Sequence, residues 1–323
     1  MLNVTLRQLQ VFASAARHLS FARAAEELHL TQPAVSMQVK ELESAVGLPL
    51  FDRSGRKIAL TTPGEYFLVH ARRMLAALKD AADTMARMKG VESGRLTIGI
   101  VSTAKYFVPK LLAEFRREHP AVELRLQVGN RQALVAQLQG NEVDLVIMGT
   151  PPRELETRAE PFAANPLAMV AAPEHPLTLL PQVPTDLLSN EVFLVREPGS
   201  GTRASMEAFL KERRIYPALI VEMPSNETIK QAVMADMGIS FLSMHTMGLE
   251  LRAGVIKVLD VDGLPLLRRW HIVNMRAKLL SPAAEAFRYF VLEKAQAMLL
   301  KPPFRYVLPG SDEERAVVAP RSP

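Results

Sequence analysis

The spacing of apolar residues changes near residue 94, and this change restricts the fold of the chain more than any other feature. Before it, apolar residues recur every three or four positions, which is the period of an amphipathic α-helix. After it, short apolar runs typical of buried strands, starting at 96–101, alternate with helical stretches. With 323 residues, the chain is also about twice as long as a usual single domain. We therefore predict at least two domains, an all-α domain followed by an α/β domain.

Composition excludes several classes of protein. Hydrophobic residues make up 48% of the chain and charged residues 23%, which is ordinary for folded proteins. No apolar run approaches the roughly 18 to 20 residues needed to cross a bilayer, so we expect no membrane contact. Without cysteine, the chain has no disulfide, thiol nucleophile or Cys-based metal site. The N-terminus lacks the basic and apolar pattern of an export signal, so we expect a cytoplasmic protein.

The excess of positive over negative charge is concentrated in the N-terminal segment. Residues 1–95 contain 13 Lys and Arg against 9 Asp and Glu, so they carry +4 of the net charge of +5. This asymmetry indicates an anionic partner for the first segment, although a balance of +4 alone is weak evidence for nucleic acid.

Three short helices are predicted before residue 47. Thr5, Ser20 and Thr31 each precede a stretch with helical periodicity and are typical N-cap residues. Pro33 fits the first turn of the third helix, where its missing N–H removes no intrahelical hydrogen bond, and Gly47 ends this helix. Only two residues separate the second helix from the third.

The second and third helices have the pattern of a helix-turn-helix. Val35, Val39 and Leu42 must face the core, so the opposite face of the third helix is exposed. That face is polar and has no carboxylate before Glu41. Such a helix enters the DNA major groove, where Gln, Ser and Lys side chains contact bases and phosphates. The residues predicted to contact DNA are Thr31, Gln32, Pro33, Ser36, Gln38 and Lys40.

A short hairpin is predicted after the third helix. Short, mainly apolar strands at 50–51 and 57–60 flank the turn 52–56. Arg53 and Arg56 on this wing are predicted to contact the DNA backbone or the minor groove. A solvated surface hairpin is the alternative for a charged turn taken alone, but the adjoining helix pair favours the wing.

A long helix is predicted from Thr62 and Pro63, with Thr62 as its cap. Its apolar residues alternate at four and three positions over about three heptads, and such a stripe pairs two identical chains. A dimer also suits an inverted-repeat DNA site. The alternative is that the helix packs on its own body. The residues predicted for dimerisation are Phe67, Ala71, Met74, Leu78, Ala81 and Met85.

These segments closely resemble LysR-type transcriptional regulators. The matching stretches are 21–40 (FARAAEELHLTQPAVSMQVK), 48–53 (LPLFDR) and 60–64 (LTTPG), and the resemblance extends to about residue 300. Many family members have Arg at the position of Met37, so no base contact is assigned to it. The resemblance implies operator DNA as a partner, dimers that pair into tetramers, activation of transcription, and RNA polymerase as a further candidate partner.

The segment 94–300 alternates predicted strands and helices. Residues 96–101, 122–128 and 144–148 are expected to form strands, and 111–118 a helix. This order predicts a mainly parallel sheet with helices on both faces. Ligands of such sheets bind beyond the carboxyl ends of the strands, so the loops that follow these strands form the candidate effector site.

The candidate loops combine small residues with hydroxyl or amide groups, and several precede helices whose free N–H groups attract anions. The loop 199–203 is the strongest candidate, because its glycines allow close approach and Arg203 can pair with a carboxylate or phosphate. The alternative is that these residues only cap their own helices. The predicted effector-binding residues are Ser102, Thr103, Asn130, Arg131, Gly149, Thr150, Ser200, Gly201, Thr202, Arg203, Asn226 and Glu227.

Within the LysR-type regulators, the C-terminal segments are most similar to the regulators of Calvin-cycle (RuBisCO) carbon-fixation operons. The similar stretches are 102–112, 128–131, 196–203 and 225–235. This resemblance implies a phosphorylated or otherwise anionic small-molecule effector. It also implies an effector domain with two subdomains, like those of periplasmic solute-binding proteins.

The patterns and the resemblance together predict the domain organisation. The chain is expected to cross between the subdomains near 161–166 and 265–270, where prolines occur. The predicted parts are a winged helix-turn-helix domain (1–61), a linker and dimerisation helix (62–91), an effector domain (92–300) of subdomain I (92–162 and 268–300) and subdomain II (163–267), and a partly disordered tail (301–323).

The sequence offers no catalytic constellation. It has no His-Glu-x-x-His pair, no Gly-x-Ser-x-Gly elbow and no Gly-rich phosphate loop ending in Lys-Ser/Thr. His245 and His271 are expected to be structural, and so is Asp144 at the start of a strand. We therefore expect a DNA-binding regulator without catalytic residues, metal or cofactor.

Three other functions remain open from the residues alone. A LysR-type regulator of a different metabolic operon fits the same N-terminal segments. A cytoplasmic α/β enzyme would have no use for the polar helix face and the basic wing. A solute-binding protein is expected to carry an export signal, which this N-terminus lacks.

Overall fold

The computed structural model describes residues 3–52, 58–88 and 94–300 of the chain. Contacts between residues divide the chain into two compact units, residues 1–90 and residues 91–323. Within the described residues, none of the helices combines the length and the apolar character required of a membrane span.

The N-terminal unit consists of helices and one small hairpin. Its elements are α1 (Leu6–His18), α2 (Phe21–Leu28), α3 (Gln32–Val46), β1 (Phe51–Asp52), β2 (Ala59–Leu60) and α4 (Thr62–Met88). The predicted starts of the first three helices are confirmed, because the hydroxyls of Thr5, Ser20 and Thr31 each accept a hydrogen bond from a backbone N–H of the first turn. Gly47 ends α3 with φ at 79°, in the left-handed region that glycine adopts without strain.

Two details of this unit differ from the prediction. The cap of α4 is Thr61 rather than Thr62, because the Thr61 hydroxyl accepts a hydrogen bond from the Gly64 backbone N–H at 3.0 Å. The strands β1 and β2 start later than expected, since their pairing places Phe51 opposite Leu60 and the residue pattern does not encode that register.

Aromatic rings join the helices of the N-terminal unit to its hairpin. The ring centre of Phe12 lies 5.5 Å from that of Phe51 and 5.4 Å from that of Phe67, while Phe21 lies 5.3 Å from Phe51. All three pairs have the edge-to-face arrangement that aromatic rings favour. These contacts tie α1, α2 and α4 to the strand that follows α3.

The apolar seam of α4 divides into two parts. Phe67 and Ala71 pack into the core of their own unit. For this part of α4, the alternative prediction, that the helix packs on its own body, is therefore correct. Met74, Leu78 and Met85 are exposed by 44%, 46% and 53%, so the described residues of the N-terminal unit leave the later part of the seam uncovered. Ala81 is exposed as well.

The C-terminal unit is built of strands and helices. Its strands are β3 (Gly94–Val101), β4 (Val122–Gly129), β5 (Leu145–Met148), β6 (Thr157–Ala171), β7 (Val192–Val195), β8 (Leu219–Glu222), β9 (Ile239–Ser243), β10 (Lys257–Val258) and β11 (Leu266–Met275). Its α-helices are α5 (Val108–Glu118), α6 (Arg131–Gln139), α7 (Gly201–Glu212), α8 (Asn226–Met234), α9 (Gly248–Ala253) and α10 (Pro282–Leu299). The predicted α/β class is confirmed.

The strands form one mixed sheet in the order β4-β3-β5-β11-β6-β9-β7-β8, with β10 paired to β6. β3 pairs parallel with β4 and β5, and β7 pairs parallel with β8 and β9. The two long strands β6 and β11 run antiparallel between these groups. The sheet is therefore parallel within each group, as expected, but not across its centre.

The sheet has a first half around β3, β4 and β5 and a second half around β7, β8 and β9. Each half has its own apolar core, and Phe115 lies in the first core while Phe193 lies in the second. β6 and β11 contribute residues to both cores, including Trp270 to the first and Leu167 to the second. The predicted crossing segments 161–166 and 265–270 lie on or beside these strands.

A buried ion pair stabilises the first half of the sheet. Asp144 and Lys278 are both buried, and the Lys278 Nζ lies 2.9 Å from the Asp144 Oδ1. The Asp144 carboxylate also accepts a hydrogen bond from the Thr97 backbone N–H at 2.8 Å. These contacts give Asp144 a structural role, as expected from its position at the start of a strand.

Candidate effector cavity and candidate DNA-binding helix

A cavity lies where the chain leaves the carboxyl ends of β3, β5 and β7. It contains about 390 Å³ of empty space including the solvent at its mouth. Nine of the twelve predicted effector residues line it, namely Ser102, Thr103, Asn130, Arg131, Gly149, Thr150, Ser200, Gly201 and Thr202. The structure thus brings together loops that are up to a hundred residues apart in the chain.

Two arginines in the cavity wall, Arg196 and Arg268, were missed by sequence reasoning. Arg196 directly follows β7, inside a segment that was singled out, so its position after the strand was an available signal. Arg268 lies within β11, opposite Asn165 of β6 in the strand register. No local pattern predicts that register, so Arg268 could not be found from the sequence.

Arg196 is 3% exposed and connects the two halves. Its guanidinium donates to the Ser102 hydroxyl at 2.8 Å and to the Asn226 side-chain oxygen at 2.7 Å. It also donates to both carboxylate oxygens of Glu197, at 2.8 and 2.9 Å. The charge of Arg196 is therefore already balanced within the protein.

Arg268 differs from Arg196 because it has no carboxylate partner among the described residues. Its Nη1 donates to the Ser205 hydroxyl at 2.6 Å and to the Gly201 carbonyl at 3.0 Å, both neutral acceptors. Burial, helped by the nearby Arg131 charge, lowers the pKa of Arg268 to about 10. The side chain thus stays protonated at neutral pH and supplies an uncompensated positive charge to the cavity.

Gly149 allows the Arg268 guanidinium to approach the backbone. A β-carbon at Gly149 would lie 3.0 Å from the Arg268 Nη2 and 3.0 Å from the Asn165 Nδ2, which is tighter than ordinary contact. Glycine at this position therefore leaves space for the two side chains that β6 and β11 place opposite each other.

The cavity wall is positive and contains no Asp or Glu among its described residues. Its charged members are Arg131, Arg196 and Arg268, and Arg131 is paired with Glu154 at 3.2 Å. The first turn of α7 also faces this site through Gly201 and Thr202. Its N-cap, Ser200, makes no side-chain capping bond, which leaves the first N–H groups of α7 available to an anion.

Three predicted effector residues lie outside the cavity. Arg203 donates to Glu207 at 2.7 Å and to Glu222 at 2.6 Å, and these carboxylates raise its pKa. It lines a neighbouring groove instead, so the expected forked pair with a ligand is taken by protein carboxylates. Asn226 is buried and accepts a hydrogen bond from Arg196, and Glu227 lines a separate pocket.

Glu227 takes part in a contact between the two halves. Its carboxylate accepts a hydrogen bond from the Tyr106 hydroxyl at 2.5 Å, and Lys230 lies 3.1 Å away. Burial and the bond to Glu227 raise the pKa of Tyr106. Tyr106 belongs to the first half and Glu227 to α8 of the second, so this bond and the Arg196–Ser102 bond both span the cleft.

The structure shows which residues α3 exposes. Its apolar residues Val35, Val39 and Leu42 are fully buried, as expected. Of the predicted DNA contacts on or beside α3, Thr31, Gln32, Pro33 and Lys40 are exposed, and Ser36 and Gln38 are half-buried. Arg53 and Arg56 lie outside the described residues, so the predicted wing contacts have no structural description.

Gln38 is held by a carboxylate that the sequence reasoning did not connect to it. Its side-chain nitrogen donates to the Glu41 Oε2 at 3.2 Å, and the Gln8 side chain donates to the same oxygen at 3.2 Å. The Gln38 amide therefore presents its oxygen away from Glu41, as a hydrogen-bond acceptor.

Comparisons with known proteins agree with this division into a helical part and an effector part. The pattern of the bacterial regulatory helix-turn-helix proteins of the lysR family matches residues 6–65. The pattern of the LysR substrate binding domain matches residues 89–296. Both matched regions contain the sites described above.

Two relatives of established function and one solved structure are similar to the chain over most of their lengths. The HTH-type transcriptional regulator CfxR of Cupriavidus necator is 54% identical over 92% of this chain and 93% of its own. The RuBisCO operon transcriptional regulator of Allochromatium vinosum is 47% identical over 92% of this chain and 98% of its own. The CcmR regulatory domain of Synechocystis PCC6803 in complex with 2-PG superposes with a TM-score of 0.60 and 38% identity, over 62% of this chain and 96% of that domain. The chain therefore belongs to the LysR family of bacterial helix-turn-helix transcriptional regulators.

Proposed function

We propose that this protein binds operator DNA in a sequence-specific manner, activates a RuBisCO or other carbon-fixation operon, and responds to a small anionic metabolite in the cavity. The observation that carries the effector assignment is the partly buried guanidinium of Arg268, which faces the cavity without a carboxylate partner among the described residues. The operon assignment is supported by the Allochromatium relative, which regulates a RuBisCO operon.

An anionic ligand fits the cavity for a physical reason. A partly buried charge such as that of Arg268 is unfavourable without a counter-charge, so a carboxylate or phosphate beside it would compensate it. The first N–H groups of α7 and the hydroxyls of Ser200 and Thr202 add hydrogen-bond donors to the same place. The related CcmR domain is described in complex with 2-PG, which makes 2-PG a suitable probe.

Effector binding would change how tightly the cleft is closed. Arg196 of the second half and Ser102 of the first half both line the cavity, and they are hydrogen-bonded across it. A ligand that contacts this pair binds the open and closed arrangements with different affinity, which shifts their populations. We propose that this shift carries the signal to the operator-binding part.

The operator-binding part is the N-terminal unit acting as a dimer. The exposed seam residues Met74, Leu78 and Met85 of α4 would be covered by the same residues of a second chain. The contacts proposed on α3 and the wing then repeat across the two-fold axis and match an inverted-repeat site. Pairing of dimers into tetramers, a contact with RNA polymerase and a cytoplasmic location belong to the same proposal.

A binding assay tests the DNA assignment. The full chain should bind DNA from upstream of a RuBisCO operon more tightly than scrambled DNA of the same length. Its affinity for both should fall as the salt concentration rises, because phosphate contacts release counterions. Equal binding to both duplexes, at two salt concentrations, would contradict the proposed function.

Calorimetry with 2-PG and the full chain tests the effector assignment. Binding is expected for the wild type and for a variant outside the cavity, such as Lys257→Ala on β10. Replacement of Arg268 by Met keeps an unbranched apolar stem but removes the guanidinium and its charge, and binding should weaken at least about tenfold. A wild-type affinity in Arg268→Met would contradict the assignment of the anion to this residue.

A further inference from the structure

Met37 lies at the centre of the exposed face of α3. The buried residues Val35, Val39 and Leu42 define the inner face of this helix. At about 100° per residue, Met37 points in the direction opposite to their mean. Its side chain is 55% exposed, although methionine is an apolar residue.

The neighbours of Met37 form a small apolar area within a polar face. Pro33, four residues earlier, is exposed, and Ala34, three residues earlier, is half-buried. Lys40, three residues later, is exposed and places a positive charge beside them. No carboxylate precedes Glu41 on this face, and the Glu41 carboxylate, one turn after Met37, accepts hydrogen bonds from Gln38 and Gln8. The face before Glu41 therefore suits an anionic partner that also offers apolar groups.

Ser36 and Gln38 occupy different positions from Met37. Each lies about 100° around the helix from Met37, and both are half-buried. The nitrogen of Gln38 is also engaged by Glu41. A duplex that approaches α3 face on would therefore meet Met37 first, between these two polar side chains.

The apolar group that the DNA major groove offers is the C5-methyl group of thymine. Methionine is unbranched and polarizable, so its side chain adapts to such a surface. Its sulfur is only a weak acceptor, and it has no donor, so it gains little from the polar edges of guanine, adenine or cytosine. We propose that Met37 determines operator specificity by contacting a thymine methyl group in each half-site, an inference that rests on the proposed DNA-binding function.

Operator duplexes in which single thymines are replaced by deoxyuridine test this inference. The replacement removes the methyl group and keeps the base pair and its polar groups. The full wild-type chain should bind about fourfold more weakly when the contacted thymine is replaced, as expected for the burial of one methyl group. Met37→Ala should bind the thymine and deoxyuridine operators equally.

Two further variants complete the experiment. Met37→Leu keeps an apolar side chain and should retain at least part of the preference for thymine, whereas Leu179→Ala, at an exposed residue of the C-terminal unit, should retain it in full. The thermal unfolding of each variant shows whether it is folded. All affinities are measured at one salt concentration, because salt changes the phosphate contribution.

The possible results separate the two proposals. Equal binding of the wild type to operator and scrambled DNA would overturn the proposed function. Preference for the operator without any effect of a thymine replacement would overturn only the assignment to Met37. The same assignment would fail if the folded Met37→Ala variant kept the wild-type sensitivity to deoxyuridine.

Discussion

At the scale of single residues, the function of an arginine in this protein depends on which carboxylates it meets. Arg196 is paired with Glu197, and Arg203 with Glu207 and Glu222. Arg268 has only neutral acceptors among the described residues. The presence of arginine in the sequence indicates that an anion can bind. Which arginine binds it depends on which one lacks a carboxylate partner in the folded protein.

This difference gives a prediction for a pair of variants. Arg268→Met should weaken anion binding at least tenfold, because the charge that faces the cavity is lost. Arg203→Met should leave it within about twofold, because the charge of Arg203 is compensated outside the cavity. Calorimetric titration of 2-PG into both full-length variants measures these two affinities. The opposite order of effects would restore Arg203 as the anion-binding residue.

His245 provides a prediction about pH. Burial lowers the pKa of His245 to about 4, and its Nδ1 lies 3.2 Å from the Trp270 Nε1 that donates to it. Below the ordinary histidine pKa of 6.5, the unfolded chain binds a proton that the folded chain does not, so stability falls as the pH is lowered towards 4. Between pH 7 and pH 5 the loss from this residue should be about 2 kcal/mol.

The measurement for His245 is the free energy of unfolding of the full chain at pH 7 and pH 5. His245→Asn removes the titrating group and keeps an acceptor for Trp270, so its stability should depend less on pH than that of the wild type. If the wild type and the variant lost the same stability over this interval, His245 would not be the group responsible.

Sequence reasoning at this scale succeeded where the signal is local. Ser102 and Gly149 were predicted because small and hydroxyl-bearing residues directly follow strands, and Ser200 because it lies in a Gly-rich loop before a helix; all three line the cavity. Arg268 was not predictable in this way, because it enters the cavity through the pairing of β11 with β6. Asn226 was chosen for its loop, and its contact with Arg196 could not be foreseen from spacing.

At the scale of secondary-structure elements, helix boundaries were more predictable than strand order. Capping residues and apolar spacing act within one turn, and they predicted the start and end of α3. The antiparallel placement of β6 and β11 in the centre of the sheet depends on pairing between residues more than a hundred positions apart. No short pattern in the chain contains that information.

The contact between Tyr106 and α8 predicts an effect on closure of the cleft. Tyr106→Phe removes the hydrogen bond to Glu227 and keeps the ring, so the closed arrangement should lose stability. The affinity for 2-PG should then fall about three- to tenfold, as expected for loss of one hydrogen bond worth about 1 kcal/mol. Calorimetry measures the affinity, and a matched control is Tyr216→Phe, whose side chain is exposed elsewhere. Unchanged affinity in Tyr106→Phe would show that this bond does not contribute to closure.

The exposed part of α4 predicts how the chain associates. Leu78 is 46% exposed in the middle of the uncovered seam, so Leu78→Asp should place a charge in a dimer interface and favour monomers. Leu179→Asp is the control, because Leu179 is 79% exposed in the C-terminal unit. Sedimentation at several protein concentrations measures the fractions of monomer and dimer for each variant. A dimer of unchanged affinity in Leu78→Asp would place the interface elsewhere.

At the scale of the whole molecule, the chain combines two compact units with different chemistry. Residues 1–95 carry most of the net positive charge and contain α3, while the C-terminal unit contains a cavity whose positive charge is local to its wall. The net charge alone could not separate these two roles. Its distribution along the chain indicated the DNA-binding part, and the structure shows the cationic cavity.

Hydrogen exchange of the full-length protein, with and without 2-PG, tests most directly whether the cavity holds the effector. Binding should slow exchange in peptides that contain Ser102, Gly149 and Gly201, and this protection should be absent in Arg268→Met. Operator DNA should instead protect peptides that contain residues 31–40. Protection by 2-PG at other peptides, or equal protection in Arg268→Met, would contradict the account.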